Sequence, residues 1–325
     1  MKGHDKDPTY MPKEFRPVHC LSFDIEEHFQ VSAFESPIRR HNWDLFESRV
    51  ERNTDKILDL IEFKGLRATF FILGWVAERC PALVRRICAG GHEIASHGYA
   101  HELVTSQAPQ KFREDIRKTK AILEDLTGQH VCGYRAPSFS ITNKSSWALS
   151  ILCEEGYGYD TSIVPIIHDR YGMPEAPSVV HQLKTESGII WEIPPSTVSI
   201  CGMRVPIGGG GYFRIFPYWM FKALFQKAEG TNSPLVTYFH PWEIDPDQPR
   251  MKGSRLSRFR HYTNLHRTHE RLTRLLDDFA FAPIKEIIIP VREIYARMAK
   301  RNEPKGMVRG ERQENDTLSN VGAIL

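Results

Sequence analysis

The pair His97 and His101 is the clearest candidate for metal chemistry in this sequence. Two imidazoles four residues apart can converge on one ion from a helical turn or a tight loop, as paired histidines do in zinc enzymes. Such a pair needs one carboxylate and an open water position to form a catalytic zinc site. Because this spacing also arises by chance, the pair predicts a metal site only if an acidic side chain from elsewhere in the chain joins it.

Acidic side chains follow the apolar segment that starts at Val18. Asp24, Glu26 and Glu27 are close neighbours in sequence, and a buried carboxylate is costly without a cation or metal beside it. Side chains alternate along a strand, so Asp24 and Glu26 are expected on the same side. One of them could bind a metal while the other takes a proton, with Glu27 as a substitute ligand. A solvated loop with chance acids is the alternative.

Three further segments carry candidate polar residues. Arg135 precedes Pro137 in an extended segment, and an arginine held there can orient a carboxylate bidentately. Asp160 ends another strand-like segment. His240 leaves an apolar strand and meets Pro241. A lone histidine in this place is usually structural, but an acid such as Asp160 could hold its ring and raise its pKa.

Aromatic residues near these segments are candidates for contact with a sugar. Tyr212 and Trp242 could stack on sugar faces, with packing in the core as the alternative. Pro137 and Phe139, which follow Arg135, complete the predicted substrate-binding set. The run Gly208 to Gly211 permits close backbone approach to a ligand, but it lacks the Gly-Lys-Ser/Thr of a phosphate-binding loop.

These residues require elements that bring distant segments together. Short apolar runs alternate with amphipathic segments, which predicts a mainly parallel α/β sheet or barrel. The predicted helices are Val50 to Phe63, Pro81 to Ala89, Pro109 to Thr127, Lys144 to Glu155 and Pro217 to Lys227. The predicted strands or extended segments are Val18 to Asp24, Ala68 to Leu73, Glu93 to Ser96, Tyr134 to Ser138, Tyr159 to Ile163, Ile189 to Ile193, Tyr212 to Ile215 and Leu235 to Phe239.

Composition excludes several classes of protein. Of 325 residues, 41% are hydrophobic and 26% are charged, as in globular proteins. The net charge of +3 is too balanced for a general nucleic-acid binder. No apolar run reaches the ~20 residues of a transmembrane helix. No secretory signal is visible at the N-terminus, so a cytoplasmic location is expected.

The chain is predicted to contain four parts. Residues 1–17 read as a flexible lead-in, residues 18–249 as the α/β barrel, residues 250–302 as a helical extension packed on it, and residues 303–325 as a disordered tail.

The start of the predicted extension is strongly basic. Eight Lys or Arg lie from Arg250 through Arg274, against the single acid Glu270. Apolar residues from Phe259 to Phe279 recur mostly at three- and four-residue spacing, as one helical face requires. A core-packing helix with a solvated basic face is one interpretation. A clamp for phosphate or an anionic glycan is the other.

In their order along the chain, these motifs resemble the polysaccharide deacetylases of the NodB-homology type, carbohydrate esterase family 4. The resemblance runs from about Val18 to Trp242, roughly two-thirds of the chain. Its landmarks are Phe23-Asp24-Ile-Glu26, Gly91-His-Glu-Ile to His97 and His101, Arg135-Ala-Pro137, Asp160-Thr-Ser162 and Phe239-His240-Pro. Two segments are similar to the branch found in bacterial exopolysaccharide loci with exosortase-type sorting systems, namely Arg258-Phe-Arg-His-Tyr-Thr-Asn-Leu-His-Arg and Glu27-His-Phe-Gln-Val-Ser-Ala-Phe.

The resemblance implies a distorted (β/α) barrel with its site at the carboxyl ends of the strands, in agreement with the alternation of elements. It implies Asp24 as general base, and Glu26, His97 and His101 as ligands of a divalent metal, usually zinc. It also implies that Arg135 positions Asp24 and that His240 is the general acid, supported by Asp160. The sequence departs from the family in having Asp24-Ile-Glu26 where two adjacent aspartates are commoner.

The function that follows is a metal-dependent N-deacetylase of N-acetylhexosamine units in an exopolysaccharide or its precursor. An N-acetylated glycan is therefore the expected partner, and attachment to a membrane-bound assembly machine is left open. Two alternatives remain: a hydrolase of a small amide or cyclic imide on the same fold, and a catalytically silent glycan-binding assembly protein. Both a proton acceptor and a proton donor are retained, at Asp24 and His240, which counts against the silent protein.

Overall fold

Parallel strands carry most of the predicted site residues at their carboxyl ends. A computed structural model describes residues 17–34, 40–168, 171–230 and 233–288. The strands are β1 (Val18–Ile25), β2 (Thr69–Ile72), β3 (Glu93–Ser96), β4 (Gly133–Tyr134), β5 (Tyr159–Asp160), β6 (His181–Thr185), β7 (Gly188–Glu192), β8 (Thr197–Ile200), β9 (Met203–Pro206), β10 (Val236–Phe239) and β11 (Ala280–Ala282). The helices are α1 (Val50–Phe63), α2 (Gly74–Arg79), α3 (Pro81–Ala89), α4 (Pro109–Thr127), α5 (Trp147–Glu154), α6 (Gly210–Ile215), α7 (Tyr218–Glu229), α8 (Arg255–Tyr262) and α9 (Leu265–Asp278). Short 3₁₀ helices cover Ser32–Phe34, Arg40–Leu45, Val104–Ser106, Pro137–Phe139 and Pro241–Ile244.

The main sheet runs in the order β10-β1-β2-β3-β4-β5-β7-β6, with β11 also paired to β1. Only the β6–β7 pair is antiparallel among these strands. In register, Ser22 of β1 lies opposite Thr69 of β2 and Tyr238 of β10. Because the parallel strands end at one rim, the residues that follow β1, β3, β4 and β10 meet there.

Irregular backbone spans the space between β7 and β10. The N–H of Ser196, four residues after β7, donates to the carbonyl of Val236 at 3.3 Å, and the N–H of Tyr238 donates to the carbonyl of Gly208 at 2.7 Å. Strands β8 and β9 form a separate hairpin within this crossing. The predicted distorted (β/α) barrel is confirmed, and its distortion lies in this crossing.

Apolar faces of the surrounding helices cover the strands. Helix α1 buries Ile57, Leu60 and Ile61 against the core. Inside the sheet, the ring of Phe23 lies 5.2 Å from that of Phe70 and 6.2 Å from that of Phe239. Strand β1 is buried along its length after Val18, as expected of a parallel strand covered on both faces.

Three predictions of local structure were wrong. Residues 137 and 138, predicted as the end of an extended segment, lie in the 3₁₀ helix Pro137–Phe139. Residues 212–215 lie in helix α6 instead of a strand. The backbone that bridges to Tyr238 belongs to Gly209, three residues after the end of β9. The apolar periodicity from Phe259 to Phe279 is split into α8 and α9. Asn264 separates them in a left-handed conformation with φ of 54°, so the two helices cannot be one continuous face.

Helices α8 and α9 lie in the same compact unit as the strands, which extends to Ile287. The predicted barrel boundary at residue 249 thus falls inside that unit. Most of the predicted lead-in, residues 289–302 of the predicted extension and the predicted tail lie outside the described residues. None of the helices in the described ranges is both long and apolar enough to span a bilayer.

Gly209 has a backbone conformation that only glycine adopts readily. Its φ is +141°, and a Cβ at this position would lie 2.0 Å from the carbonyl oxygen of Tyr238. Since that oxygen belongs to the backbone of β10, it cannot move aside as a flexible side chain would. We predict that Gly209→Ala lowers the free energy of unfolding by more than ~2 kcal/mol, measured by chemical denaturation.

Gly211→Ala is the matched control, since a Cβ there would lie 3.8 Å from the carbonyl oxygen of Arg260, which is an ordinary contact. It should change stability by about 1 kcal/mol or less, and in the stabilising direction for a helical position. Equal effects of the two substitutions would contradict the close approach of Gly209 to β10.

Candidate active site

Three potential metal ligands converge at the rim of the barrel. Glu26 follows β1, His97 follows β3, and His101 lies in the next loop with φ of 47°. One ligand atom from each residue lies within 4.8 Å of the other two, and all three side chains are buried. Segments more than 70 residues apart in sequence thus present a carboxylate and two imidazoles to one point.

The chemistry of these three side chains fits a divalent ion such as zinc. The Nδ1 atom of His97 donates to the carbonyl of Arg135 at 2.8 Å, which leaves Nε2 as the atom with a free lone pair. Burial lowers the pKa of His97 to about 4, so its ring is neutral at pH 7. The Oε2 atom of Glu26 is buried and accepts no hydrogen bond, although Nε2 of His101 lies 2.7 Å away. Both atoms are therefore available as ligands.

Glu26 is ionised despite its burial. Burial is the largest effect and would raise the pKa of Glu26, but the neighbouring His101 and His240 hold it well below its ordinary value. The indole N–H of Trp242 donates to the other carboxylate oxygen, Oε1, at 3.0 Å. This bond orients the carboxylate with Oε2 towards the two histidines.

Glu27 points to a different part of the structure. Both of its carboxylate oxygens lie 3.0 Å from the backbone N–H of Arg49, and Oε1 also accepts a hydrogen bond from Ser48. Arg49 directly precedes helix α1, so Glu27 ties the loop after β1 to the start of that helix. Of the two neighbouring glutamates, the structure places only Glu26 beside the histidines.

Asp24 is held by a buried arginine, as predicted. Nη1 of Arg135 donates to Oδ1 of Asp24 at 2.5 Å and to Ser22 Oγ at 2.9 Å. The guanidinium also lies 4.1 Å from the centroid of the Phe71 ring. With Oδ1 fixed, Oδ2 of Asp24 faces the rim, 3.7 Å from Nε2 of His240.

His240 follows β10 and carries a raised pKa. Its Nδ1 lies 2.7 Å from Oε1 of Glu243. Burial is the largest effect and would lower the pKa of His240, but the hydrogen bond to Glu243 and the charges of Glu26, Glu243 and Asp24 outweigh it and raise the pKa to about 9. His240 is therefore protonated at pH 7, with Nε2–H directed at the two carboxylates.

The prediction that Asp160 supports His240 was wrong. Asp160 lies opposite Glu192 in the sheet and accepts a hydrogen bond from Ser162 Oγ at 2.6 Å. Burial raises the pKa of Asp160 to about 6, and burial together with the charge of Asp160 raises the pKa of Glu192 further. Both buried carboxyl groups therefore hold a proton more tightly than an exposed acid does. Since Ser162 Oγ also accepts the N–H of Ala136, this pair fixes the segment after Arg135.

Two residues of the site were not predicted, namely Glu243 and Arg214. Nε of Arg214 donates to Oε2 of Glu243 at 2.7 Å, and its Nη atoms donate to the carbonyls of Arg260, His261 and Thr263. The guanidinium lowers the pKa of Glu243 against the opposing effect of burial. Glu243 stands three residues after His240, a spacing that could have indicated a pair. No local signal indicates Arg214.

Trp242 borders the catalytic cavity, but of its two interpretations the structure favours packing over stacking on a sugar. Its ring is stacked between His240, at 4.9 Å, and His261, at 4.2 Å, with interplanar angles of 22° and 18°. Both faces are therefore covered, and the side chain is buried. Trp242 packs the site and orients Glu26 through its N–H.

A cavity of about 350 Å³ opens onto these residues. Phe139 and Tyr212 line it, as the predicted substrate-binding set requires, together with the aromatic residues His168, Tyr171 and Tyr238. Pro137 is buried and does not line the cavity, whereas its neighbours Ala136 and Ser138 do. Gly210 and Gly211, the second half of the glycine run, also line the cavity.

Two family models match parts of the chain that contain residues of this site. A polysaccharide deacetylase family model matches residues 40–153, which include His97, His101 and Arg135. A domain of unknown function (DUF3473) matches residues 161–289, which include Arg214, His240 and Glu243. The site is therefore assembled from both matched regions and from β1, which precedes them.

Two curated relatives resemble parts of the chain. The peptidoglycan deacetylase-like protein FGM2 of Gibberella zeae is 34% identical over 121 residues, which cover 37% of this chain and 34% of that protein. The peptidoglycan-N-acetylglucosamine deacetylase of Bacillus cereus is 38% identical over 96 residues, which cover 29% of this chain and 35% of that protein. The chain thus spans about a third of the length of these relatives.

One solved structure resembles nearly the whole chain. A Mycobacterium smegmatis protein described as a polysaccharide deacetylase superposes with a TM-score of 0.58 at 20% identity, over 94% of this chain and 98% of that one. At this identity the likeness concerns the fold, which is the one implied by the sequence. The match of residues 40–153 to the family model, the local identities and the shared fold make this part of the chain similar to polysaccharide deacetylases.

Proposed function

We propose that the protein is a metal-dependent deacetylase that releases acetate from N-acetylhexosamine units of a polysaccharide. The observation that carries this proposal is the arrangement of Asp24 and His240. Oδ2 of Asp24 and Nε2 of His240 lie 3.7 Å apart, and both border the three potential metal ligands. Hydrolysis of an amide needs a proton acceptor and a proton donor on the two sides of the reacting carbon.

Glu26, His97 and His101 would hold the metal. When bound, a divalent ion supplies Lewis-acid polarisation of a carbonyl and a lowered pKa for water. The carboxylate of Asp24, oriented by Arg135, takes a proton from the water molecule whose oxygen bonds to the amide carbon. Protonated His240 gives its Nε2 proton to the amide nitrogen as the C–N bond breaks, so that the products are acetate and a free amine.

The neighbours of His240 suit the role of a proton donor. Glu243 holds Nδ1, which fixes the ring orientation, and Arg214 keeps Glu243 ionised. An amide nitrogen is a poor leaving group until it is protonated. A histidine that stays protonated at neutral pH can supply that proton. A protein that only bound glycans would not need this arrangement.

A polysaccharide substrate is favoured by the cavity and by the relatives. Aromatic side chains that line the cavity can pack against sugar faces. The B. cereus relative is by name a deacetylase of N-acetylglucosamine in peptidoglycan. For this chain we propose an exopolysaccharide or its precursor as the polymer and zinc as the ion, with hydrolysis of a small amide or imide as the competing outcome of the tests below.

Metal binding should distinguish the two adjacent glutamates. We predict that Glu26→Ala loses most of the bound zinc, because one of three protein ligands is removed. Glu27→Ala should retain the zinc and instead lower the unfolding temperature, because the backbone N–H of Arg49 loses its acceptor. Metal content of the purified variants, with unfolding measured on the same samples, checks both. Zinc loss in Glu27→Ala alone would contradict the ligand set.

Removal of the proposed base should lower the rate of acetate release without loss of the bound metal. We predict that Asp24→Asn lowers acetate release from N-acetylglucosamine oligomers by about 10²–10⁴-fold, while zinc content stays at the wild-type level. The assay offers oligomers of N-acetylglucosamine, exopolysaccharide and small amides, and measures both acetate and ammonia. Undiminished turnover in Asp24→Asn would remove Asp24 from the mechanism. Ammonia from small amides, with no acetate from sugars, would favour the competing function.

The pH dependence should reveal which acid supports His240. Because the charge and hydrogen bond of Glu243 raise the pKa of His240, the protonated donor is present below this pKa and is lost as the pH rises through it. Glu243→Gln removes the charge, so the alkaline limb of kcat/KM should move to lower pH by about one unit. Asp160→Asn is the control and should leave that limb in place. The opposite pattern would restore Asp160 as the partner of His240.

A further inference from the structure

A second concavity lies beside helix α8, and no step of the proposed reaction uses it. It is lined by Arg250, Arg255, Arg258, Phe259 and Tyr262, and we call it the arginine concavity. Its volume is about 390 Å³. Of the described residues that line it, three are arginines and none is acidic, so this lining presents positive charge to a ligand.

The guanidinium groups of the arginine concavity are not neutralised by acids. Within the described part of the chain, Arg250, Arg255 and Arg258 make no ion pair with a carboxylate. The guanidinium of Arg250 lies 4.3 Å from the centroid of the Tyr262 ring, which holds it over an aromatic face. A stacked guanidinium keeps its N–H edge available for bidentate pairing with a carboxylate or phosphate.

Aromatic surface lies next to this charge. Phe259 is 55% exposed, and Leu256 on the same helix is 54% exposed. An aromatic face beside guanidinium groups suits an acidic sugar, whose C–H face packs on the ring while its acid group pairs with the arginine. A helix that binds a bilayer presents a separate apolar face, whereas here the aromatic ring lines a hollow among cations. These features favour a chain-like ligand over a membrane surface.

Helix α8 separates the arginine concavity from the catalytic cavity. Ser257, Arg260 and His261, on other positions of the same helix, line the catalytic cavity. A helix with its side chains is about 10–12 Å across, so a ligand that reaches both cavities must extend over more than one sugar. A polymer can do so, and a small amide cannot.

We propose that the arginine concavity binds an acidic group, a carboxylate or phosphate, of an anionic N-acetylhexosamine polysaccharide while another unit of the same polymer occupies the catalytic cavity. This inference rests on the proposed deacetylase function and adds the charge of its substrate. It also gives the basic segment that starts at Arg250 a function beyond solvation.

Binding of two defined probes to the zinc-loaded full-length protein tests this proposal. The acidic probe is a hyaluronan hexasaccharide, in which N-acetylglucosamine alternates with glucuronate, and the neutral probe is the hexamer of N-acetylglucosamine. We expect the acidic probe to bind about tenfold more tightly by calorimetry, through charge-assisted hydrogen bonds. The difference should shrink when sodium chloride is raised from about 0.05 M to about 0.5 M, because salt screens exposed charges.

The double variant Arg255→Gln/Arg258→Gln should remove this difference in affinity. It should leave both the binding of the neutral probe and acetate release from it unchanged. The control is Arg85→Gln/Lys184→Gln, which removes the same charge from exposed positions on α3 and β6 and should keep the difference. Equal affinity of the wild type for both probes, or an equal loss in both double variants, would overturn the proposal.

Two further outcomes distinguish this inference from binding to a membrane surface and from the proposed deacetylase function. If Arg255→Gln/Arg258→Gln weakens binding to phosphatidylglycerol vesicles but not to hyaluronan, a membrane surface is the ligand and the proposal is wrong. If the wild type releases acetate from neither probe, the proposed function fails at these substrates, whereas the difference in affinity is measured independently of turnover and still decides the inference.

Discussion

Burial of carboxylates at the rim of the barrel is the constraint on which the rest of this structure depends. Asp24, Glu26 and Glu243 are almost inaccessible to water, and an unpaired charge at such burial costs several kcal/mol. Arg135 offsets the charge of Asp24 and Arg214 that of Glu243. Among the described residues, Glu26 has imidazoles and an indole N–H beside it but no arginine or lysine. A metal ion bound at its Oε2 would offset its charge.

Residues in the C-terminal half of the chain also compensate the charges of these buried carboxylates. Arg214 reaches Glu243 with one nitrogen and holds the backbone between α8 and α9 with the others. His261 of α8 covers one face of Trp242, whose other face lies on His240. The region that matches a domain of unknown function therefore carries the proposed proton donor and the residues that charge and orient it. It also forms the arginine concavity, so one helix links the site to a surface for acidic groups.

Local patterns in the sequence predicted much of this arrangement. The helices Val50–Phe63, Pro81–Ala89 and Pro109–Thr127 were predicted to the residue. Strand alternation placed Asp24 and Glu26 on one side. The same patterns failed where contacts between residues far apart in sequence determine the local structure or the partner of a side chain. Residues 212–215 form a helix because the preceding glycines already bridge to β10. Arg214 gave no signal, since the carbonyls it binds lie 46 to 49 residues later. Asp160 was mistaken for the partner of His240 because its sheet neighbour, Glu192, is set by strand order alone.

X-ray absorption spectroscopy at the zinc edge of the metal-loaded, full-length protein tests most directly whether these distant segments meet around one ion. The account predicts one zinc per chain with two imidazole ligands at about 2.0–2.1 Å, oxygen donors in the remaining positions and no sulfur. A spectrum with fewer than two imidazoles, or with a zinc–sulfur distance of about 2.3 Å, would show that Glu26, His97 and His101 do not form the metal centre.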